Sequence, residues 1–183
     1  MQPEAQKHAT GAHKTVDEAM SDDDLSLARY LIFTIGTELY GSPLVGIKEV
    51  IKHAKVNAVP YMANHFKGII NLRGQIIGIV DLRSRFGVTT TSQNQDKGLI
   101  LVTENDGQTM GVIVDDVISV AAIIPSDIEE NPALITKIPM DFFLGIGKYG
   151  DRLVNLIGLG ACLTADDYAA IQRNREALWK REA

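Results

Sequence analysis

From Tyr30 to Leu163 the chain is written in short apolar runs, rich in isoleucine and valine, that glycines interrupt. Short β-branched runs with frequent turn residues predict a mostly β domain assembled from hairpins. Leu31, Phe33 and Ile35 share one face of a strand, Gly36-Thr37-Glu38 supplies a turn, and Leu39-Tyr40 resumes. A second hairpin runs from Gly68 to Leu72, turns at Arg73-Gly74 and returns from Gln75 to Leu82. A third runs over 99–102, turns at Asn105-Asp106-Gly107 and returns from Met110 to Val114. The Asp-Gly pair suits a tight turn because both residues tolerate positive φ. A fourth runs over 145–149, turns at Gly150-Asp151 and returns over 152–157.

The hairpins repeat. Gly145-Ile146 through Leu159 aligns without gaps on Gly68-Ile69 through Leu82, and Gly41 before Leu44 and Ile47 aligns on Gly111 before Val114 and Val117. This spacing predicts two related β subdomains, roughly 30–88 and 98–163, joined by a polar linker from Thr89 to Asp96. A small closed barrel suits units of this size, since closure leaves no free strand edge. Between the first two hairpins, Pro43 to His53 reads as a short connector helix, with Leu44, Ile47, Val50 and Ile51 at helical spacing. Gly46 and the β-branched residues equally allow a strand there. Beyond Leu163 the pattern turns helical: Thr164 and Asp167 form a variant capping box, and Tyr168, Ile171, Leu178 and Trp179 lie near one face. A helix over 165–181 within a C-terminal unit of 164–183 is expected. Residues 1–29 hold six acidic and three basic residues with little aliphatic clustering, and are expected to be a disordered tail.

Composition narrows the function more than the fold. The 183 residues are 45% hydrophobic, with one cysteine and a net charge of -5. A single cysteine makes no internal disulfide and suits a reducing compartment. No run is long enough for a transmembrane helix, and the N-terminus lacks the apolar core of a signal peptide, so neither membrane insertion nor export is expected. The acidic balance speaks against nucleic acid and against docking on an anionic membrane. His8, His13, His53 and His65 make no metal spacing with Cys162, which reads as an inert structural thiol. Gly158-Leu159-Gly160 lacks the third glycine of a dinucleotide loop, and no serine sits in a nucleophile elbow. Neither a catalytic site, a metal nor a cofactor is expected.

Three features carry more. Arg73 stands at the turn between two very apolar strands; it is either a solvated turn cation or a fixed guanidinium that reaches a carboxylate, with Glu49 the candidate partner. The segments 75–82, 98–102 and 112–114 are apolar on both faces, so they cover something beyond their own barrel: either the other subdomain or a partner in an exposed groove. Lys48, Glu49 and Lys52 lie among apolar positions of one short segment, a pattern that ordinary amphipathicity also produces.

The run Phe66-Lys67-Gly68-Ile69-Ile70-Asn71-Leu72-Arg73-Gly74-Gln75-Ile76-Ile77-Gly78-Ile79-Val80-Asp81-Leu82-Arg83 resembles the signature of the CheW family, the adaptors of bacterial chemotaxis. Tyr30 to Tyr40, Val45 to Ile51, Gly111 to Val120 and Phe142 to Leu159 resemble further family segments in the same order, so the resemblance covers about 30–163. It implies two interleaved five-stranded SH3-like β barrels with a hydrophobic interior between them, and no catalysis. It implies a cytoplasmic adaptor at receptor arrays on the inner face of the membrane. Its partners would be a chemoreceptor's cytoplasmic helical hairpin and the regulatory domain of the CheA histidine kinase. With about 20 residues after Leu163, neither the receiver domain of CheV nor the body of CheA is expected. With this resemblance, Glu49 and the apolar edges of the repeat, Ile47, Val50, Ile51, Val112, Val114 and Val117, are assigned to the receptor, some of these edges being core that the sequence does not single out; Leu72, Arg73, Gly74, Gln75 and Ile76 are assigned to the kinase, with the 98–117 hairpin as the competing place. The alternatives are an adaptor of a non-flagellar system, such as type IV pilus control, and a small-ligand-binding barrel.

Overall fold

The computed structural model describes residues 28–52, 54–60, 62–88, 98–105, 107–130, 138–162, 164, 167–169 and 172. Ten strands make up most of them: β1 (Ala28–Ile35), β2 (Glu38–Pro43), β3 (Ile47–Lys52), β4 (Phe66–Leu72), β5 (Gln75–Asp81), β6 (Leu99–Asn105), β7 (Gln108–Val114), β8 (Asp116–Ile123), β9 (Phe143–Tyr149) and β10 (Arg152–Ile157). The four expected hairpins are β1–β2, β4–β5, β6–β7 and β9–β10.

The expected connector helix over 43–53 is instead a turn followed by β3. Gly46 takes φ 90, which ends the turn in the left-handed region. Burial then alternates along Ile47–Lys52, and β3 pairs antiparallel with β6. Here the pairing edge of β6 overrides a helical spacing of four residues. A one-turn helix, α1 (Leu82–Arg85), forms instead after β5. The two residues 28 and 29 of the expected tail open β1, and the rest of that tail lies outside the described residues. So does the linker over 89–96. At the C-terminus, 167–169 and 172 are helical, and 173–183 lie outside the described residues. Among the described residues no helix is long and apolar enough to cross a membrane.

The strands form two five-stranded sheets, ordered β8-β1-β2-β10-β9 and β3-β6-β7-β5-β4. The second sheet is continuous in sequence, and the first is completed only after the chain returns from it. The sheets therefore divide at residues 44–46 and at Asp115, not at 89–96. The sequence repeat survives this interleaving, because corresponding strands occupy corresponding places. β5 runs parallel to β7 through Ile79 opposite Gly111, and β10 runs parallel to β2 through Leu156 opposite Gly41. A Cβ on Gly111 would stand 2.5 Å from Ile79 Cδ1, and one on Gly41 would stand 2.9 Å from Leu156 Cδ2. The glycines at 41 and 111 thus mark the one close parallel contact of each sheet.

Each sheet curls round an interior. Ile32, Leu39, Ile123, Val154 and Leu156 fill the first, and Ile70, Ile77, Ile79, Ile100, Val102 and Ile113 fill the second. Polar clasps join the outermost strands: Ser119 Oγ meets Tyr149 Oη at 2.9 Å between β8 and β9. Between the sheets lies a larger core that includes Phe33, Tyr40, Leu82, Phe86, Leu101 and Val112. Phe33, Tyr40 and Phe86 stack in series, with centroids 6.2 and 5.7 Å apart.

Buried charge ties this junction. Asp81 caps α1, and Arg83 donates to both Asp81 oxygens at 2.9 and 3.1 Å and to Asp115 at 3.1 Å. The second oxygen of Asp115 accepts the Gly36 N–H in the β1–β2 turn at 2.6 Å. Burial alone would lower the Arg83 pKa, but the two carboxylates outweigh it and raise it. Replacing one member of such a pair strands a buried charge. Arg83→Met should therefore cost about 3–5 kcal/mol, with Asp81→Asn/Arg83→Met together costing less than the sum of the two single changes. Urea unfolding of the four variants measures the coupling, and purely additive losses would contradict the assignment.

Candidate functional site

The groove between the sheets is built where their shared core reaches the surface. Leu44, Ile47, Leu99 and Val117 form a half-buried fringe on that core. Directly opposed strand residues point to the same face. Val50 is paired with Leu101, and Val120 with Leu31, so both stand on the groove side of their sheets. They are 41% and 49% exposed, against complete burial of Leu101 beside them. We read the apolar rims of β3 and β6 in one sheet and of β8 in the other as the two banks of one trough. Lys48 and Lys52 flank Val50 on the exposed face of β3, and Lys48 meets Glu104 at 3.2 Å.

The residues assigned from sequence to the receptor divide three ways. Ile47, Val50 and Val117 lie in or beside the trough. Glu49 and Ile51 face the other side of β3, where Ile51 packs on the interior of the second barrel. Val112 and Val114 are fully buried in the inter-sheet core, so their assignment to a binding surface is corrected. Alternation explains this: both belong to the central strand β7, whose outer face is roofed by the first sheet. The two-faced apolar strands are thus accounted for by packing, on the other sheet and, for Val80 and Met110, on a cluster that takes in Tyr168. Leu44, Leu99 and Val120 were missed. Val120 was recoverable from the repeat, as β8 alternates just as β3 does.

Glu49 and Arg73 do meet. Arg73 donates through Nη1 and Nη2 to the two Glu49 oxygens at 2.9 and 2.8 Å. The bidentate pair links β3 to the β4–β5 turn, closing the second barrel where Ser119 and Tyr149 close the first. Leu72 and Gln75 are paired, leaving Arg73 and Gly74 as a two-residue loop with φ 51 and 88. Positive φ at both centres is the I′ hairpin geometry. The Asn71 side chain accepts the Gly74 N–H at 2.8 Å and secures it. Of the residues assigned to the kinase, Arg73, Gly74 and Gln75 are exposed. Leu72 and Ile76 are half-buried, packed on the barrel interior and on its outer cluster respectively.

Ile47 also lines a cavity of about 220 Å³ with Ser42, Val45, Thr103 and Leu159. That is smaller than the usual 300–1,000 Å³ of a small-ligand site. A second polar cluster lies elsewhere and fastens the C-terminal segment. His65 Nε2 lies 2.9 Å from Asp167 Oδ1 and 2.7 Å from Arg85 Nη1, and Arg85 stands 5.1 Å over the Phe142 ring. Thr164 donates its N–H and hydroxyl to Asp167, while Asp167 N–H returns to the hydroxyl, which is the expected capping box. Burial pushes the Asp167 carboxyl up, but the Thr164 and His65 hydrogen bonds outweigh it and hold it below its ordinary value. Burial raises the Cys162 thiol to about 12, as an inert cysteine requires.

Because the Arg73 side chain is 76% exposed, Arg73→Ala should cost only about 0–1 kcal/mol in urea unfolding. Arg73→Gly should unfold at higher urea than Arg73→Ala, since only glycine relieves the positive φ. Asp167 has a depressed folded pKa, so its contribution is complete above the unfolded carboxylate value and vanishes as pH falls through the folded one. Contacts of Tyr168 with the cluster of Phe66, Ile69, Val80 and Met110, followed by NMR, should persist from neutral pH past ordinary aspartate titration and then weaken. In Asp167→Asn they should be weakened already at neutral pH.

The family model of the CheW-like domain matches residues 29–167. The chain is 31% identical over 163 residues to the chemotaxis protein CheW of Helicobacter pylori, covering 89% of this chain and 94% of that one. It is 30% identical over 100 residues to the chemotaxis protein CheA of Listeria monocytogenes, of which it spans 16%. Among solved structures, the scaffolding protein TtCheW of Thermoanaerobacter tengcongensis superposes with a TM-score of 0.70 at 33% identity, covering 77% of this chain and 95% of that one. Two interleaved barrels, the glycine-marked repeat and the Glu49–Arg73 clasp all fall inside the matched span, and the chain belongs to the CheW family of chemotaxis adaptor proteins.

Proposed function

We propose that this chain is a non-enzymatic adaptor that couples a chemoreceptor to the CheA histidine kinase from the cytoplasmic side of a receptor array. The observation that carries the receptor half is the trough of Leu44, Ile47, Val50, Leu99, Val117 and Val120. An apolar groove of this kind takes the apolar face of an amphipathic helix, and a receptor's cytoplasmic hairpin presents one. The kinase half rests on the β4–β5 turn, where Arg73, Gly74 and Gln75 project between the apolar shoulders of Leu72 and Ile76. The match to a CheA over 100 residues supports a like-with-like contact between this chain and the kinase's own CheW-like part. The reading as a non-enzyme is supported by what the acidic and basic side chains do. Glu49 engages Arg73, Asp81 and Asp115 engage Arg83, and Asp167 engages Thr164 and His65, so each is committed to holding structure.

Purified full-length chain should bind both a receptor signalling fragment and the CheA regulatory domain of the cognate system; binding to neither would overturn the proposal. Burying one valine in a partner contributes about 1.5–3 kcal/mol, so a charge at that place should weaken binding about tenfold or more. Val50→Glu and Val120→Arg should lower receptor affinity by that factor while leaving kinase affinity and Tm nearly unchanged. Val112→Asp, by contrast, should fail to fold. For the kinase, single-cysteine crosslinkers at Gln75 should join the CheA domain and those at Gln108 should not; the reverse would move the contact to the β6–β7 turn.

A further inference from the structure

We infer that the acidic segment ahead of β1 occupies the inter-sheet trough and competes with the receptor for it. The inference rests on the reading of that trough as the receptor face. The 27 residues before Ala28 carry Glu4, Asp17, Glu18, Asp22, Asp23 and Asp24 against Lys7 and Lys14. The bank of the trough formed by β3 has the opposite sign, with Lys48 and Lys52 on the exposed face and Lys55 exposed just beyond. Glu104 meets Lys48, and Asp116 stands exposed at the start of the other bank.

The chain enters at this place. Arg29 O accepts the Leu44 N–H at 2.8 Å, so the start of β1 lies beside the first apolar residue of the trough. Ser21 precedes Ala28 by seven residues, a reach of up to ~25 Å, so Asp22 to Asp24 need no long excursion to meet β3. The segment also has an apolar side to offer. Val16, Ala19 and Met20 precede the acidic run, and Leu25 and Leu27 follow it. Acidic charge for the lysines, with a few apolar side chains for the valines, is the chemistry that the trough selects, here supplied in cis.

A cis occupant lowers apparent receptor affinity by the fraction of molecules whose trough is open. The test uses the full chain in two arms. A nitroxide on Ser21→Cys, with the buried Cys162 left unlabelled, should broaden the amide signals of Val50, Leu99 and Val120. The broadening should vanish when Asp22, Asp23 and Asp24 are changed together to Asn. In the second arm the same triple change should tighten binding of a receptor signalling fragment roughly threefold to tenfold. Absence of broadening at the trough, or broadening unaffected by the triple change, overturns the tail contact. Unchanged receptor affinity despite broadening overturns the competition. If no receptor fragment binds either protein, the receptor reading itself falls, and the first arm alone decides whether the tail lies in the trough.

Discussion

The shared core between the two sheets is the interaction on which the rest of the molecule depends. Each barrel has an interior of its own, but those interiors are only six or so aliphatic side chains across. The aromatic series Phe33, Tyr40 and Phe86, with Leu82, Leu101 and Val112, lies outside both and is dry only because the sheets face one another. Removing one sheet would expose the most apolar surface of the other. The network of Asp81, Arg83 and Asp115 fixes the relative placement of the sheets, since its members come from the end of β5, from α1 and from the crossing into the first sheet. The Gly36 N–H extends the same network into the β1–β2 turn.

The trough is the place where this core runs out. Its residues are neither a separate pocket nor an added patch; they are the rim of the inter-sheet packing, left half-covered because β3 and β8 are the outermost strands of their sheets. That origin explains its composition. Aliphatic residues line it because they continue the core, and lysines border it because an outermost strand must discourage unwanted pairing. It also means that both barrels contribute side chains to it.

Much of this was readable from the residues. Glycine turns located all four hairpins, the aligned spacing of Gly41 with Gly111 and of Gly68 with Gly145 revealed the repeat, and Glu49 was legible as the partner of Arg73. What failed was whatever depends on which strand lies next to which. Pro43–His53 has a helical spacing of apolar residues, and only the pairing edge of β6 makes it a strand. Val112 and Val114 carry the same side chains as Val50 and Val120; their burial follows from a central position in the sheet, which no local pattern encodes. Val120 could have been found by carrying the repeat from β3 to β8. The network around Arg83 was visible only as an Asp-Leu-Arg motif, because Asp115 comes from a part of the chain 32 residues away.

The continuity of the second sheet has a consequence for how the chain is made. Its five strands emerge in one stretch, from Ile47 to Val114, while the first sheet has only β1 and β2 in hand. During synthesis one barrel is therefore complete before its neighbour has a third strand. Until β8 and β10 appear, the nascent hairpin has apolar faces and open edges, and the finished barrel beside it offers the matching surface. The later strands thus emerge with a matching apolar surface already synthesised beside them.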